Sequence, residues 1–313
     1  MTGESYGRAP QGRDWEATFR LWSRPPSDTE DERCENASRM VREALGASPA
    51  LQRHTLEVLA HGSYRNNTNV RAQSDVDICV RCLDVFYPDY NFAPGLTNAQ
   101  LGLVDASYPP ATFKSDVEAA LRAHFGWANV QRGNKVLVVR ENTYRVSADV
   151  APTFERRRYS LTGERPWYQS GVLLFPDAGG QIENWPQQHY DNGVAKNEQT
   201  GRRFKAVVRI VKRLRDEMAE RGFYPLGGNP APTSLLIESL VWNVPDEWFG
   251  RSTFTEDVRG VLAFLVVNTG DAAACAEWGE VSELKYLFRG RPDWSRESAL
   301  AFATACWVYL GFG

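Results

Sequence analysis

Two aspartates one residue apart, Asp75 and Asp77, stand at the head of the apolar run 76–83, "VDICVRCL". The run is short and rich in β-branched and other apolar residues, which predicts a strand. On a strand, residues i and i+2 share a face, so the two carboxylates project side by side about 7 Å apart. Like charges that close repel, and burial raises one of their pKa values unless a cation sits between them. Hard divalent cations such as Mg²⁺ take oxygen ligands and use one or two carboxylates together with phosphate oxygens. The pair therefore points to a strand that begins at a metal site.

The residues before the pair supply a second element. Gly62 lets the backbone approach a ligand closely, and Ser63 adds a hydroxyl beside backbone N–H groups, a combination suited to phosphate. Asn66, Thr68 and Asn69 fill the intervening turn with side chains expected to bond their own backbone. A third carboxylate, Asp149, lies in "YRVSADVAP", where it alternates with Ala148 on a strand-like segment. Three carboxylates on neighbouring strands suit a two-metal centre for displacement at phosphorus.

Along the rest of the chain, residues 1–30 read as an irregular lead-in or an early helix. A helical pattern runs from residue 34 to 60, broken near Pro49. Strands are predicted at 75–82, 135–140 and 144–151, the last two joined as a hairpin by "ENT", with a helix at 115–125. Segments 84–113 and 156–200 read as irregular. Beyond residue 200 the pattern turns helical, at 201–221, 233–243, 255–268 and 296–310. The expected division is an α/β part over 1–200 and a helical part over 201–313.

The 313 residues carry a formal net charge of −3. A dedicated duplex-DNA binder usually has a marked basic excess, so none is expected. No apolar run reaches the length of a transmembrane helix, and the N-terminus lacks a signal-peptide pattern, so no membrane partner is expected. The five cysteines fit a reduced, cytoplasmic protein. Cys79 and Cys82 form a C-x-x-C, but residues three apart on a strand point to opposite faces, which argues against redox or zinc chemistry.

The order Gly-Ser, spacer, Asp-x-Asp, distant Asp resembles the polymerase-β-like nucleotidyltransferases. More narrowly, "GSYRNNTNVRAQSDVDICV" resembles the bacterial CD-NTases, relatives of animal cyclic GMP–AMP synthase. The likeness continues through "SADVAP", "IENWPQQHYDNGVAKNEQTGRRFKAVVRIVKRLRDE" and "PTSLLIESLVWNVP", over roughly residues 35–245. The resemblance implies an α/β fold, a polymerase-β-like nucleotidyltransferase core with a mixed sheet, followed by a C-terminal helical domain. It implies two Mg²⁺ ions, or Mn²⁺ in their place, on Asp75, Asp77 and Asp149. NTP substrates would be held at Gly62 and Ser63 and joined, with release of pyrophosphate, into a cyclic di- or trinucleotide. That product would act through an effector protein in antiphage defence. Transfer of a nucleotide to an RNA end or a small acceptor is the alternative, and a non-catalytic nucleotide-binding module, which would typically lack one of the acids, is a third reading.

In "RRFKAVVRIVKRL", Phe204, Val207, Val208, Val211 and Leu214 recur at helical spacing as a core face. Arg202, Lys205, Arg209 and Lys212 form a basic stripe on the other side. In the family a lysine of this helix and a serine of the next reach the triphosphate; Lys212 and Ser234 match best, with Lys205 as a further candidate. Trp185 and Tyr190 are candidates for stacking on a base. Arg156, Arg157 and Arg158 read as surface residues, with contact to phosphate as the alternative. Some relatives are joined to targets through their C-terminal residue, and the ending Gly-Phe-Gly313 suits such conjugation.

Overall fold

The computed structural model describes residues 10, 12–70, 75–163, 165–224, 231–290 and 294–312; Gly313 lies outside them. The chain forms two compact units that interleave along the sequence. One takes residues 27–65 and 71–187, the other residues up to 26, 66–70 and those from 188 onward. The sequence pattern had suggested a single boundary at residue 200.

The first unit is built on one mixed sheet. Its strands are β1 (Leu56–His61), β2 (Val76–Phe92), β3 (Val130–Arg132), β4 (Leu137–Val139), β5 (Ala148–Thr162), β6 (Arg165–Leu174) and β7 (Ile182–Asn184). The order is β1-β2-β5-β4-β3, with β6 also on β5 and β7 on β6. β2 and β5 run parallel, and the other pairings are antiparallel. Helices α2 (Asp28–Gly46) and α4 (Pro110–Phe125) supply Cys34, Val41, Val117 and Leu121 to a core that also takes Val76, Ile78, Val80, Ala148 and Val150 from the strands. Even-numbered residues of β2 and β5 thus face this core near their starts, and odd-numbered ones face away. α2 begins with a reciprocal cap, Ser27 and Glu30 each bonding the other's backbone amide.

Several expectations are corrected here. Residues 56–61 are a strand rather than the end of a helix, because they pair in register with β2. β2 does not stop near residue 82. A register shift between Cys82 and Phe86 admits extra residues, and pairing with β5 resumes as far as Phe92. The segment 156–200 is likewise ordered into the rest of β5, β6, β7 and α5 (Pro186–Gln199). Gly163, at φ +63, sits in the β5–β6 hairpin turn, where a positive φ is cheap for glycine. The three arginines of β5 are tied up in this extension. Arg156 and Arg158 pair with Asp89 and Glu183, and Arg157 pairs with Glu155.

The second unit is helical: α1 (Trp15–Trp22), α5 (from Gln188 onward), α6 (Arg203–Glu220), α7 (Ser234–Trp242), α8 (Phe254–Gly270) and α9 (Arg296–Tyr309). The α6 face of Phe204, Val207, Val208, Val211 and Leu214 is buried, as its periodicity predicts. It packs with Phe19 of α1, Ile237 and Leu240 of α7, Val261 of α8 and Phe302 of α9. Among the described residues no helix is long and apolar enough to cross a membrane.

Candidate active site

Asp77 and Asp149 are the second residues of the adjacent parallel strands β2 and β5, and they are direct register partners. Neighbouring strands lie about 4.8 Å apart, so their carboxylates leave the sheet side by side on the face opposite the α2–α4 core. Asp75, exposed, immediately precedes β2. On its other flank Asp77 pairs with His61, the last residue of β1. One level of the sheet therefore reads His61, Asp77, Asp149 across three strands.

Gly62 follows at once, at φ +70, and opens the short helix α3 (Gly62–Arg65) that carries Ser63. A Cβ built on Gly62 would lie 2.0 Å from Asp77 Oδ2. The glycine is thus required twice, for its left-handed backbone and for the space that the carboxylate occupies. α3 is tethered by Tyr64, whose hydroxyl donates to the Asp31 carbonyl at 3.1 Å, and by Arg65, which donates to Gln187 at 2.6 Å. Gly62→Ala should cost about 2–4 kcal/mol from the backbone and the overlap together. Urea denaturation measures this, and a variant as stable and active as the parent would remove glycine's special role.

The electrostatics follow from this crowding. Burial, then Asp149 and Asp75, push the Asp77 carboxyl up to about 7. Burial and Asp75 also raise Asp149. His61 does not balance them, since burial and Arg65 bring its pKa down to about 4 and leave it neutral near pH 7. The set is oxygen-only, mutually repelling and unbalanced by a bonded cation among the described residues. That is the donor chemistry of a hard divalent ion, and the residues fit one.

Among the described residues the ligand atoms of His54, Cys82 and Asp84 lie within 4.8 Å of one another, closer than the three aspartates lie as a set. Asp84 there is already engaged by the Thr55 amide and by His54 Nδ1 at 2.9 Å. Cys79 lies on the opposite face from Cys82, its thiol 3.0 Å from the Thr153 hydroxyl. All five cysteines are free and buried.

The helical unit corrects the picture of a basic stripe facing solvent. Lys205, Arg209 and Lys212 are all buried. Lys212, 1% exposed, donates to the Thr68 carbonyl and hydroxyl at 3.1 Å each, and to Glu238 at 3.3 Å. Its amine is committed to these partners, so Lys212 is interior in this structure rather than the surface lysine that the helical periodicity suggests. Lys205 is different. Its ammonium lies 5.6 Å from the Tyr190 ring centroid and makes no hydrogen bond among the described residues, and burial lowers its pKa. Ser234 opens α7 half-exposed, accepting from Arg215 at 3.3 Å, while Thr233 is the residue that caps the helix.

Trp185 does not offer its ring to a base. It is 2% exposed, and the Arg158 guanidinium covers the ring at 4.0 Å from its centroid. Nor does Thr68 bond its own backbone, as the turn pattern suggests; its hydroxyl donates to Glu238 at 3.0 Å. Sequence reasoning did not single out His61 or His189, whose roles rest on strand register and on contacts between distant segments. Glu238 pairs with Lys212 and His189.

Comparison with known proteins bears on the whole chain. A family model described as the cGAS/DncV-like nucleotidyltransferase C-terminal helical domain matches residues 191–311. The sequence is 42% identical over 297 residues to the cyclic dipyrimidine nucleotide synthase CdnE of Legionella pneumophila, spanning 95% of this chain and 98% of that protein. Its structure resembles the Rhodothermus marinus CdnE c-UMP-AMP synthase with Apcpp and Upnpp, with a TM-score of 0.80 at 31% identity over 95% of this chain and 97% of that one. It also resembles the Elizabethkingia meningoseptica CdnE cyclic dinucleotide synthase with GTP and Apcpp, with a TM-score of 0.78 at 35% identity over 95% and 98%.

Proposed function

The chain belongs to the bacterial CD-NTases, the cGAS/DncV-like nucleotidyltransferases, and from this we propose how its residues make a cyclic nucleotide. It joins NTPs with release of pyrophosphate, first into a linear intermediate and then into a cyclic di- or trinucleotide that serves as a second messenger in antiphage signalling. The observation that carries the residue assignment is the register pairing of Asp77 with Asp149 beside a glycine that admits the Asp77 carboxylate.

Asp75 and Asp77 are the residues that would hold two Mg²⁺ ions, with Asp149 completing the set on the side of the attacking hydroxyl. When bound, such ions supply the positive charge that favours the attacking hydroxyl in its ionised form and supports the departing pyrophosphate. The chain's own part is placement. Strand register holds the carboxylates at one level, and the turn at Gly62 brings the Ser63 hydroxyl and nearby amides to the same end of the sheet, where they bind phosphate oxygens. Of the two lysines, Lys205 is the better phosphate ligand, because its ammonium makes no hydrogen bond to a carboxylate among the described residues, although Glu238 acts on it from farther off. The reaction draws on the NTP pool, which supports a cytoplasmic enzyme. The relatives differ in their bases, from dipyrimidine to UMP with AMP, so base choice rests on pocket side chains rather than on the acids.

Incubation with labelled NTPs and Mg²⁺, followed by phosphatase, tests the proposal. A phosphatase-resistant product is expected. Label transferred to added RNA or a small acceptor instead would favour the alternative activity, and no incorporation under any NTP mixture would remove both.

A further inference from the structure

The segment Asn66–Val70 leaves α3 directly after Arg65, yet it belongs with the helical unit. Its grips are specific. The fully buried Thr68 hydroxyl donates to Glu238 at 3.0 Å and accepts from Lys212 at 3.1 Å, and the Lys212 ammonium also reaches the Thr68 carbonyl. His189 Nε2 lies 3.0 Å from the other Glu238 oxygen. One residue earlier, Asn67 adopts φ +55, a left-handed conformation that asparagine tolerates, and Arg209 donates to its carbonyl. Arg209 in turn is fixed by the Ser23 carbonyl, at 2.9 Å from Nε.

A buried lysine–glutamate pair is a poor device for stability alone. Desolvation offsets most of its attraction, and apolar residues of the same volume often do as well. What the pair adds is a directional hold on a particular backbone. We propose that Thr68, Lys212 and Glu238 are positioning residues for the nucleotidyl transfer. They clamp residues 66–70 in one conformation and so fix the end of α3, whose Ser63 meets the phosphates. This rests on the reading of Gly62 and Ser63 as phosphate ligands.

The test is Thr68→Val against Thr68→Ser in the full chain, with steady-state kinetics, thermal melting and amide hydrogen exchange. Valine keeps the shape and removes both side-chain bonds; serine restores them. Thr68→Val is expected to raise KM for NTP about tenfold, the scale of a lost hydrogen bond to charged groups, and to speed exchange of amides 63–67. Thr68→Ser is expected to return both to near the parent. Unchanged KM in Thr68→Val overturns the proposal, even where exchange quickens. So does equal impairment of both variants, which would mean that the threonine only packs. If Thr68→Val fails to fold, the double variant Lys212→Met/Glu238→Gln takes its place; it removes both buried charges together, and a parental KM there overturns the clamp. Full activity in Asp77→Asn would instead sink the metal-site reading, while the exchange measurement still reports on the clamp.

Discussion

Asp77→Asn is expected to lower cyclic product formation by at least about 10²-fold, the scale on which removal of one charge-stabilising group slows such reactions. The same change is expected to leave the metal-free protein as stable as the parent or more so. In the parent, burial, Asp149 and Asp75 hold the Asp77 carboxyl up near 7, against an ordinary value of 3.8. A carboxyl whose folded-state pKa is raised contributes its stability below the unfolded value and loses it as pH rises through the folded one. Metal-free parent should therefore lose stability between about pH 4 and 7, by on the order of a few kcal/mol, and the asparagine variant should lose less over that window. Thermal melts in chelator across this range measure the difference. Mg²⁺ with a non-hydrolysable NTP should raise the melting temperature of the parent by mass action and that of the variant much less. An unfolded metal-free variant, or one that still makes product at near the parental rate, would contradict the metal site.

Lys212→Ala is expected to destabilise the protein by about 3–5 kcal/mol, the cost of leaving one member of a buried ion pair without its partner. Burial alone would push the Glu238 carboxyl up, but Lys212, His189 and the Thr68 hydroxyl hold it down at about 2. Alanine leaves that carboxylate buried beside a cavity. Lys212→Met/Glu238→Gln should sit much closer to the parent in urea, since both charges leave together. If Lys212→Ala instead keeps the parental stability and raises KM, the lysine is a phosphate ligand after all. The two outcomes separate in a single denaturation curve and a single kinetic series.

Much of the site was legible because a strand has a fixed period. Residues i and i+2 of a strand share a face, so Asp75 and Asp77 had to stand side by side; that this face lies opposite the core of Val76, Ile78, Val80, Ala148 and Val150 came from the structure. A glycine before a serine marked the turn. The apolar face of α6 followed from its period of three to four. Other features had no local signal. That Asp77 stands between His61 and Asp149 is a matter of register, set by hydrogen bonds between segments far apart in sequence. The run 84–92 looked like a loop because its Pro, Tyr and Asn residues suit turns, and what makes it a strand is pairing with β5 and the ion pairs at Asp89. The basic side of α6 and the ring of Trp185 show the limit most plainly. Periodicity separates a helix's polar face from its apolar one, but it does not say whether the polar face meets water or protein. The sequence by itself determined which acidic residues share a strand face and which Gly-Ser turn precedes them. The tertiary structure decided that Lys212 and Trp185 are interior, because their burial depends on partners, Thr68 and Glu238 for the lysine and Arg158 for the tryptophan, that distant parts of the chain bring to them.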